Sequence, residues 1–265
     1  MIDTIVVPLD GSELSHGALP IADELAGALD ASVLLLASGW GSTVEELQAY
    51  LDERGTTLRS PFTTSVVPDT FPATAVAAAV KGTGDAIVMA THGRTGFGKA
   101  LLGSVAEDVL KRSDHPVLLV GPHATTFSTF RNATMAVTTD GSPISAMILP
   151  RAARWANALD MSVVVIAATS VNGLPLGGTD PDALANAVES AVGHFTREGI
   201  DVRSEIIVGV DAADTVADWA NANGVSMVAM ATHGRGGLAR TALGSTTMRT
   251  VHNCQCPVLV QKPMG

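Results

Sequence analysis

The 265-residue chain reads as an α/β protein: two tandem, doubly wound domains, each on a five-stranded parallel sheet. Three observations carry this reading. The string Met-Ala-Thr-His-Gly-Arg occurs twice, at 89–94 and 230–235, and each copy is followed ten residues after its glycine by Gly-Ser. The apolar runs are strand-length and lack polar alternation, as in strands buried on both faces. Helically spaced stretches separate them, the pattern of a parallel sheet with helices on both sides.

The elements of the first half follow in order. Ile5–Leu9 is a short run rich in β-branched residues and makes the first strand. Ser12–Leu29 has helical spacing, with Leu14, Ala18, Ile21, Leu25 and Leu29 on one face. Val33–Ala37 is the second strand, Glu45–Arg59 a polar helix and Thr63–Val67 the third strand. Pro72–Lys81 is an alanine-rich helix opened by its proline. Ala86–Ala90, Gly103–Arg112 and Val117–Val120 complete the half as strand, helix and strand.

The second half repeats this order. Ile5–Ser12 pairs with Met135–Ser142, and Leu29–Val33 with Leu159–Val163, both at an offset of 130. The glycine loops pair at 141, as do Pro116–Val120 and Pro257–Val260. A net insertion of 11 residues therefore separates the second and fourth strands of the second half, and the Gly- and Pro-rich segment Val171–Asp180 is its expected place. The domains are expected over 1–125 and 130–265, joined where Pro122 and a Ser/Thr cluster interrupt the pattern.

Composition narrows the function. Hydrophobic residues make up 46% and charged residues 16%, enough to build a packed core. A formal charge of −10 argues against nucleic acid and against an anionic membrane surface as partners. No apolar stretch has membrane-spanning length, and the N-terminus lacks a basic region followed by an apolar one, so a cytoplasmic protein is expected. Cys254 and Cys256, beside His252, are metal-ligand types, but one short segment cannot close a site; they read as core residues. Trp155 and Trp219 lie on apolar helix faces and also read as core.

The chemistry concentrates at the strand ends. In such folds ligands bind beyond the carboxyl ends of the strands, where strand order reverses. If the first and fourth strands flank that point, Asp10 faces Gly93 across one crevice and Asp140 faces Gly234 across the other. Each glycine loop leads into a helix opened by Gly103-Ser104 or Gly244-Ser245. A helix start offers unpaired amides and partial positive charge to an anion, glycine permits close approach, and the serine adds a hydroxyl. Thr246 and Thr247 make the second copy richer in hydroxyls. No lysine follows as a P-loop requires. Asp10 and Asp140 read as helix N-caps, as carboxylates on the crevice rim, or as both. His92 and His233 lack the partners of a catalytic triad and read as loop packing or ligand contacts. Arg94 and Arg235 either neutralise phosphate or stay solvated.

These residues resemble the universal stress protein family in its tandem form, over nearly the whole chain. The family's ATP-binding pattern is Gly, two residues, Gly, nine residues, then Gly-Ser or Gly-Thr. Here it reads Ala90, Thr91-His92, Gly93, nine residues, Gly103-Ser104, and then Ala231, Thr232-His233, Gly234, nine residues, Gly244-Ser245. Alanine thus replaces the first glycine in both halves, at a cost on the order of 1 kcal/mol if that backbone needs positive φ.

The resemblance implies an adenine nucleotide alpha hydrolase-like fold and bound ATP, accompanied by Mg2+ held mostly through phosphate oxygens. It places the ribose and adenine near Pro8, Leu9 and Asp10, and near Thr139 and Asp140 in the second half. Ser38 and Ala168 would read the adenine edge. The remaining nucleotide contacts would fall on Met89, Ala90, His92, Gly93, Arg94, Gly103, Ser104 and Val105, and on Met230, Ala231, His233, Gly234, Arg235, Gly244, Ser245, Thr246 and Thr247, with the residues flanking Gly93 and Gly234 and those after each Gly-Ser on the phosphates. It further implies an intrachain pseudo-dimer through the last strands, a possible homodimer and an unidentified protein partner. The expected function is a nucleotide-dependent regulator of the stress response, with no catalytic residues and slow or absent ATP hydrolysis. The alternatives are an interaction module that binds no nucleotide and an ATP-cleaving enzyme such as an adenylyl transferase.

Overall fold

A computed structural model describes residues 2–39, 41–82, 84–91, 103–124, 129–232 and 243–261. The chain divides into two compact units, Met1–Pro122 and His123–Gly265.

The first unit runs β1 (Thr4–Pro8), α1 (Glu13–His16), α2 (Ala18–Leu29), β2 (Ser32–Gly39), α3 (Val44–Gly55), β3 (Phe62–Pro68), α4 (Pro72–Ala79), β4 (Asp85–Ala90), α5 (Ser104–Arg112) and β5 (Val117–Val120). Its strands are parallel in the order β3-β2-β1-β4-β5, so the order reverses between β1 and β4. Ile5, Val6 and Val7 are fully buried, as are Ala86, Ile87 and Val88. Each such Val or Ile contributes roughly 1.5–3 kcal/mol by leaving water, which is why these strands carry no polar alternation.

Two local expectations are corrected. The helix expected over Ser12–Leu29 is broken at Gly17, which caps α1 and precedes α2. Leu14 is therefore off the core stripe and 43% exposed, while Ala18, Ile21, Leu25 and Leu29 are buried. Neither aspartate is an N-cap. Asp10 Oδ1 accepts from the Ser12 amide (3.0 Å) and hydroxyl (2.6 Å), and Ser12 itself caps α1 by accepting from the Ser15 amide. Gly11, at φ +81°, makes the turn that leaves the cap to the second residue after the aspartate.

The second unit runs β6 (Thr134–Thr138), a 3₁₀ turn (Ser145–Ile148), α6 (Leu149–Ala158), β7 (Ser162–Thr169), α7 (Pro181–Arg197), β8 (Val202–Val208), α8 (Ala212–Ala222), β9 (Met227–Ala231), α9 (Ser245–Asn253) and β10 (Val258–Gln261). Its parallel order, β8-β7-β6-β9-β10, is that of the first unit. The aspartate turn is repeated: Asp140 Oδ1 accepts from the Ser142 amide (2.9 Å), Ser142 Oγ from the Ser145 amide (3.2 Å), and Gly141 sits at φ +80°.

The insertion is not confined to one loop. Residues 170–180 stand where the first unit has 40–43, and α7 has 17 residues against 12 in α3. Trp155 is buried, as expected. Trp219 is only half-buried, because its indole N–H reaches Glu205 Oε1 at 2.8 Å. Cys254 and Cys256 are both buried and unbridged. Among the described residues no helix is long and apolar enough to cross a membrane.

Candidate functional site

In each unit a cavity opens at the strand-order reversal, past the carboxyl ends of β1 and β4 or of β6 and β9. The first is about 230 Å³ and the second about 100 Å³.

The backbone brings the phosphate-loop helix to this point. The Thr91 amide extends the β4–β5 pairing by donating to Val120 O (3.0 Å), and the Gly103 amide returns to Thr91 O (2.7 Å). The start and end of the loop are thus tied together, and α5 begins beside the end of β4. The second unit repeats both bonds, Thr232 to Gln261 O (2.8 Å) and Gly244 to Thr232 O (2.6 Å). Neither α5 nor α9 has a side-chain cap, since a glycine holds each N-cap position. Their first-turn amides are the donors that an anion would find. Gly103 and Gly244 have φ of −61° and −69°, so left-handed backbone is not what selects glycine there. The alanines bear no such strain either: Ala90 and Ala231 end strands and are not among the positive-φ residues.

Of the first-half residues expected at the site, Pro8, Leu9, Asp10, Ser38, Met89, Ala90, Gly103, Ser104 and Val105 line the first cavity. In the second half Thr139, Asp140, Ala168, Met230, Ala231, Thr246 and Thr247 line the second cavity. Gly244 and Ser245 do not; Ser245 and Thr246 are both exposed at the start of α9, with Thr246 at the cavity edge, and Thr247 is buried. His92, Gly93, Arg94, His233, Gly234 and Arg235 lie outside the described residues.

The structure adds wall residues that the sequence left unassigned. Ser15, Leu36 and Pro72 in the first cavity have counterparts Ser145, Ile166 and Ala212 in the second. Two signals pointed to them: Leu36 lies on the same strand face as Ser38, and Pro72 opens the helix that follows an edge strand.

The polar groups differ in how far they are used. In the second unit Thr139 Oγ1 pairs with Ser145 Oγ (3.1 Å) and accepts from the Gly141 amide (3.2 Å). Thr247 Oγ1 donates to Ala231 O (3.0 Å) and Thr232 O (3.3 Å). The Thr139 and Thr247 hydroxyls are therefore engaged within the unit itself. In the first unit Ser38 lines the cavity, and its buried Oγ has no hydrogen-bond partner among the described residues. A buried unpaired hydroxyl costs about 1–3 kcal/mol and calls for an explanation. The Ser38 carbonyl also faces the crevice. Leu36 O accepts from the Leu9 amide (2.8 Å), and a carbonyl two residues on points the same way, past the end of β1. Tyr50 of α3 reaches the end of α1, with its Oη 2.8 Å from His16 Nε2. Burial raises its phenol pKa, which keeps it neutral and available as a donor.

Comparison with known proteins places these features. Residues 41–121 and 132–262 match the Universal stress protein family. A universal stress protein of Mycobacterium tuberculosis is 26% identical over 183 residues, 66% of this chain and 61% of that protein. One from Methanocaldococcus jannaschii is 30% identical over 136 residues, 48% of this chain and 79% of that protein. The match thus spans about three fifths of the length of the mycobacterial relative. Among solved structures, a universal stress protein from Archaeoglobus fulgidus superposes with a TM-score of 0.65 at 20% identity, covering 99% of both chains. A putative one from Pseudomonas aeruginosa gives 0.66 at 18% identity, over 99% of this chain and 94% of that one. At these identities the structural likeness speaks for the fold.

Proposed function

The chain belongs to the universal stress protein family, and on that premise we propose that it binds an adenine nucleotide, ATP with its Mg2+, in the crevice of the first unit. Occupancy rather than turnover is the output: bound nucleotide alters the surface offered to a protein partner in a stress response. The observation that carries this reading is Ser38. Ser38 lines the cavity, its hydroxyl is buried without a partner among the described residues, and its carbonyl points toward the same space. A purine edge presents the donors and acceptors that such a pair lacks. Asp10 at the rim supplies an acceptor for ribose hydroxyls, and the uncapped start of α5 supplies amides for phosphate. The cavity of about 230 Å³ lies near the lower bound of small-ligand sites, roughly 300 Å³. The family's first glycine is dispensable here, since Ala90 closes a strand without positive φ.

The test is calorimetry of the full chain with Mg-ATP. Saturable binding with loss of affinity in Asp10→Ala supports the reading, and no heat up to millimolar nucleotide refutes it. Steady turnover faster than about once per second would favour an ATP-cleaving enzyme instead.

A further inference from the structure

The two crevices share most wall positions, although Thr91, Gly103 and Ser104 line only the first, and the second is less than half the volume of the first. The difference is traceable. Pro175, Gly177 and Leu184 line the second cavity and have no counterparts in the first. They come from the inserted segment and the lengthened helix behind it.

After β7 the chain turns back on itself. The Ser170 amide donates to Leu174 O (2.7 Å) and the Gly173 amide to Ser170 O (2.9 Å), with Gly173 at φ +75°. Pro175 then bridges Thr169 in antiparallel sense, and the Leu176 amide donates to Ala168 O at 3.0 Å. That carbonyl is the repeat of Ser38 O. The segment next crosses the aspartate turn. The Thr179 hydroxyl donates to Asp140 O. The fit against this turn is close: a Cβ on Gly177 would stand 3.0 Å from Asp140 Cβ, and one on Gly141 would stand 2.7 Å from Thr179 Cγ2. The second unit also carries Ala168 where the first has the orphan Ser38 hydroxyl, so that position brings no unpaired side-chain donor.

We propose that residues 170–180 are a resident occupant of the second crevice, standing where a base would stand, so that the chain binds a single nucleotide, in its first unit. This rests on the nucleotide reading above. The Leu176 amide serves the carbonyl that a purine would serve, and Gly177 and Thr179 cover the carboxylate turn that a ribose would approach. The remaining volume is about 100 Å³, less than half that of the first crevice.

The experiment is Mg-ATP titration of the full chain, read as stoichiometry by calorimetry and by native mass spectrometry. Photolabelling with 8-azido-ATP and peptide mapping locate the bound molecule. Wild type is expected to bind one equivalent, with label confined to residues 1–122. Replacing residues 170–180 by the Trp-Gly-Ser-Thr of 40–43 is expected to raise the stoichiometry to two. The point variant Leu176→Pro, which only removes the amide on Ala168 O, serves if the exchange perturbs folding. It is expected to strengthen binding at the second crevice at least tenfold. Two wild-type equivalents with affinities within tenfold of each other would overturn the inference and leave the nucleotide reading standing. So would label in residues 123–265 of wild type, or a stoichiometry of one in both variants when circular dichroism shows them folded. No binding to any form would overturn the nucleotide reading itself, and this inference with it.

Discussion

Replacing Ser38 by alanine is expected to move two measurements in opposite directions. In the free protein Ser38 Oγ is buried without a partner, a defect worth about 1–3 kcal/mol. Ser38→Ala removes it at little loss of packing, so the free protein should gain about 1 kcal/mol. With a urea slope of about 2 kcal/mol/M, the unfolding midpoint should rise by about 0.5 M. Binding should weaken, because the variant loses both the ligand bond and the relief of the defect. Together these amount to about 1–2 kcal/mol, or roughly five- to thirtyfold in Kd for Mg-ATP. Trp40 is the first unit's tryptophan, so a Trp155→Phe, Trp219→Phe background lets fluorescence follow that unit in urea. Calorimetry supplies the affinity. A lower urea midpoint would mean that the hydroxyl already serves the fold, and an unchanged Kd that no ligand uses it. Either result would refute the reasoning.

Other perturbations follow from groups away from the crevice. Asp23 is buried and accepts from the Arg59 amide (2.9 Å), Arg59 Nε (2.9 Å) and the Ser60 amide (2.8 Å). Burial opposes its charge, but the bonds from Arg59 and Ser60 outweigh burial and lower its pKa. Its contribution to stability is therefore full above the unfolded value, near 3.9, and is lost as pH falls through the lowered folded value. Denaturation midpoints between pH 2 and about 5 should show this extra slope in wild type and not in Asp23→Asn. Gly209→Ala would set a Cβ 1.9 Å from Thr215 Oγ1 and should destabilise by about 1–3 kcal/mol. Adding Thr215→Ala should recover part of that loss, so additive thermal shifts would contradict the clash. The Cys254 thiol is pushed up by its hydrogen bond to Cys256 and by burial. Native protein at pH 8 should therefore react with a thiol reagent at least a hundredfold more slowly than urea-unfolded protein.

The parts legible in the sequence were those set by local composition and by repetition. Apolar strands, the duplicated aspartate turn and the helix-opening Gly-Ser pairs all have residue-level signatures. Together they located most of the crevice wall. The rest depended on choices that spacing does not record. Leu14 has the right helical phase, but the break at Gly17 separates its short turn from the helix that carries the stripe. Asp10 and Ser12 are both N-cap residue types, and only the positive φ of Gly11 decides between them. Trp219 has an apolar setting, yet its indole N–H settles on Glu205 at the surface. The insertion was countable from the offsets. Its fold back onto Ala168 O was not, because a backbone amide leaves no mark in the sequence.

The glycine that opens α5 has one more consequence. Several helices of this chain bring their own acceptor: Ser12, Thr43, Asp180 and Asp211 each bond an amide of the first turn. At α5 the position is bare, so on the proposed reading the phosphate completes the helix from outside the chain. Folding and binding then share one free energy. Nucleotide at a hundredfold excess over Kd would add about 2.7 kcal/mol to the first unit and nothing to the second. On that reading the stability of the first unit rises with nucleotide concentration.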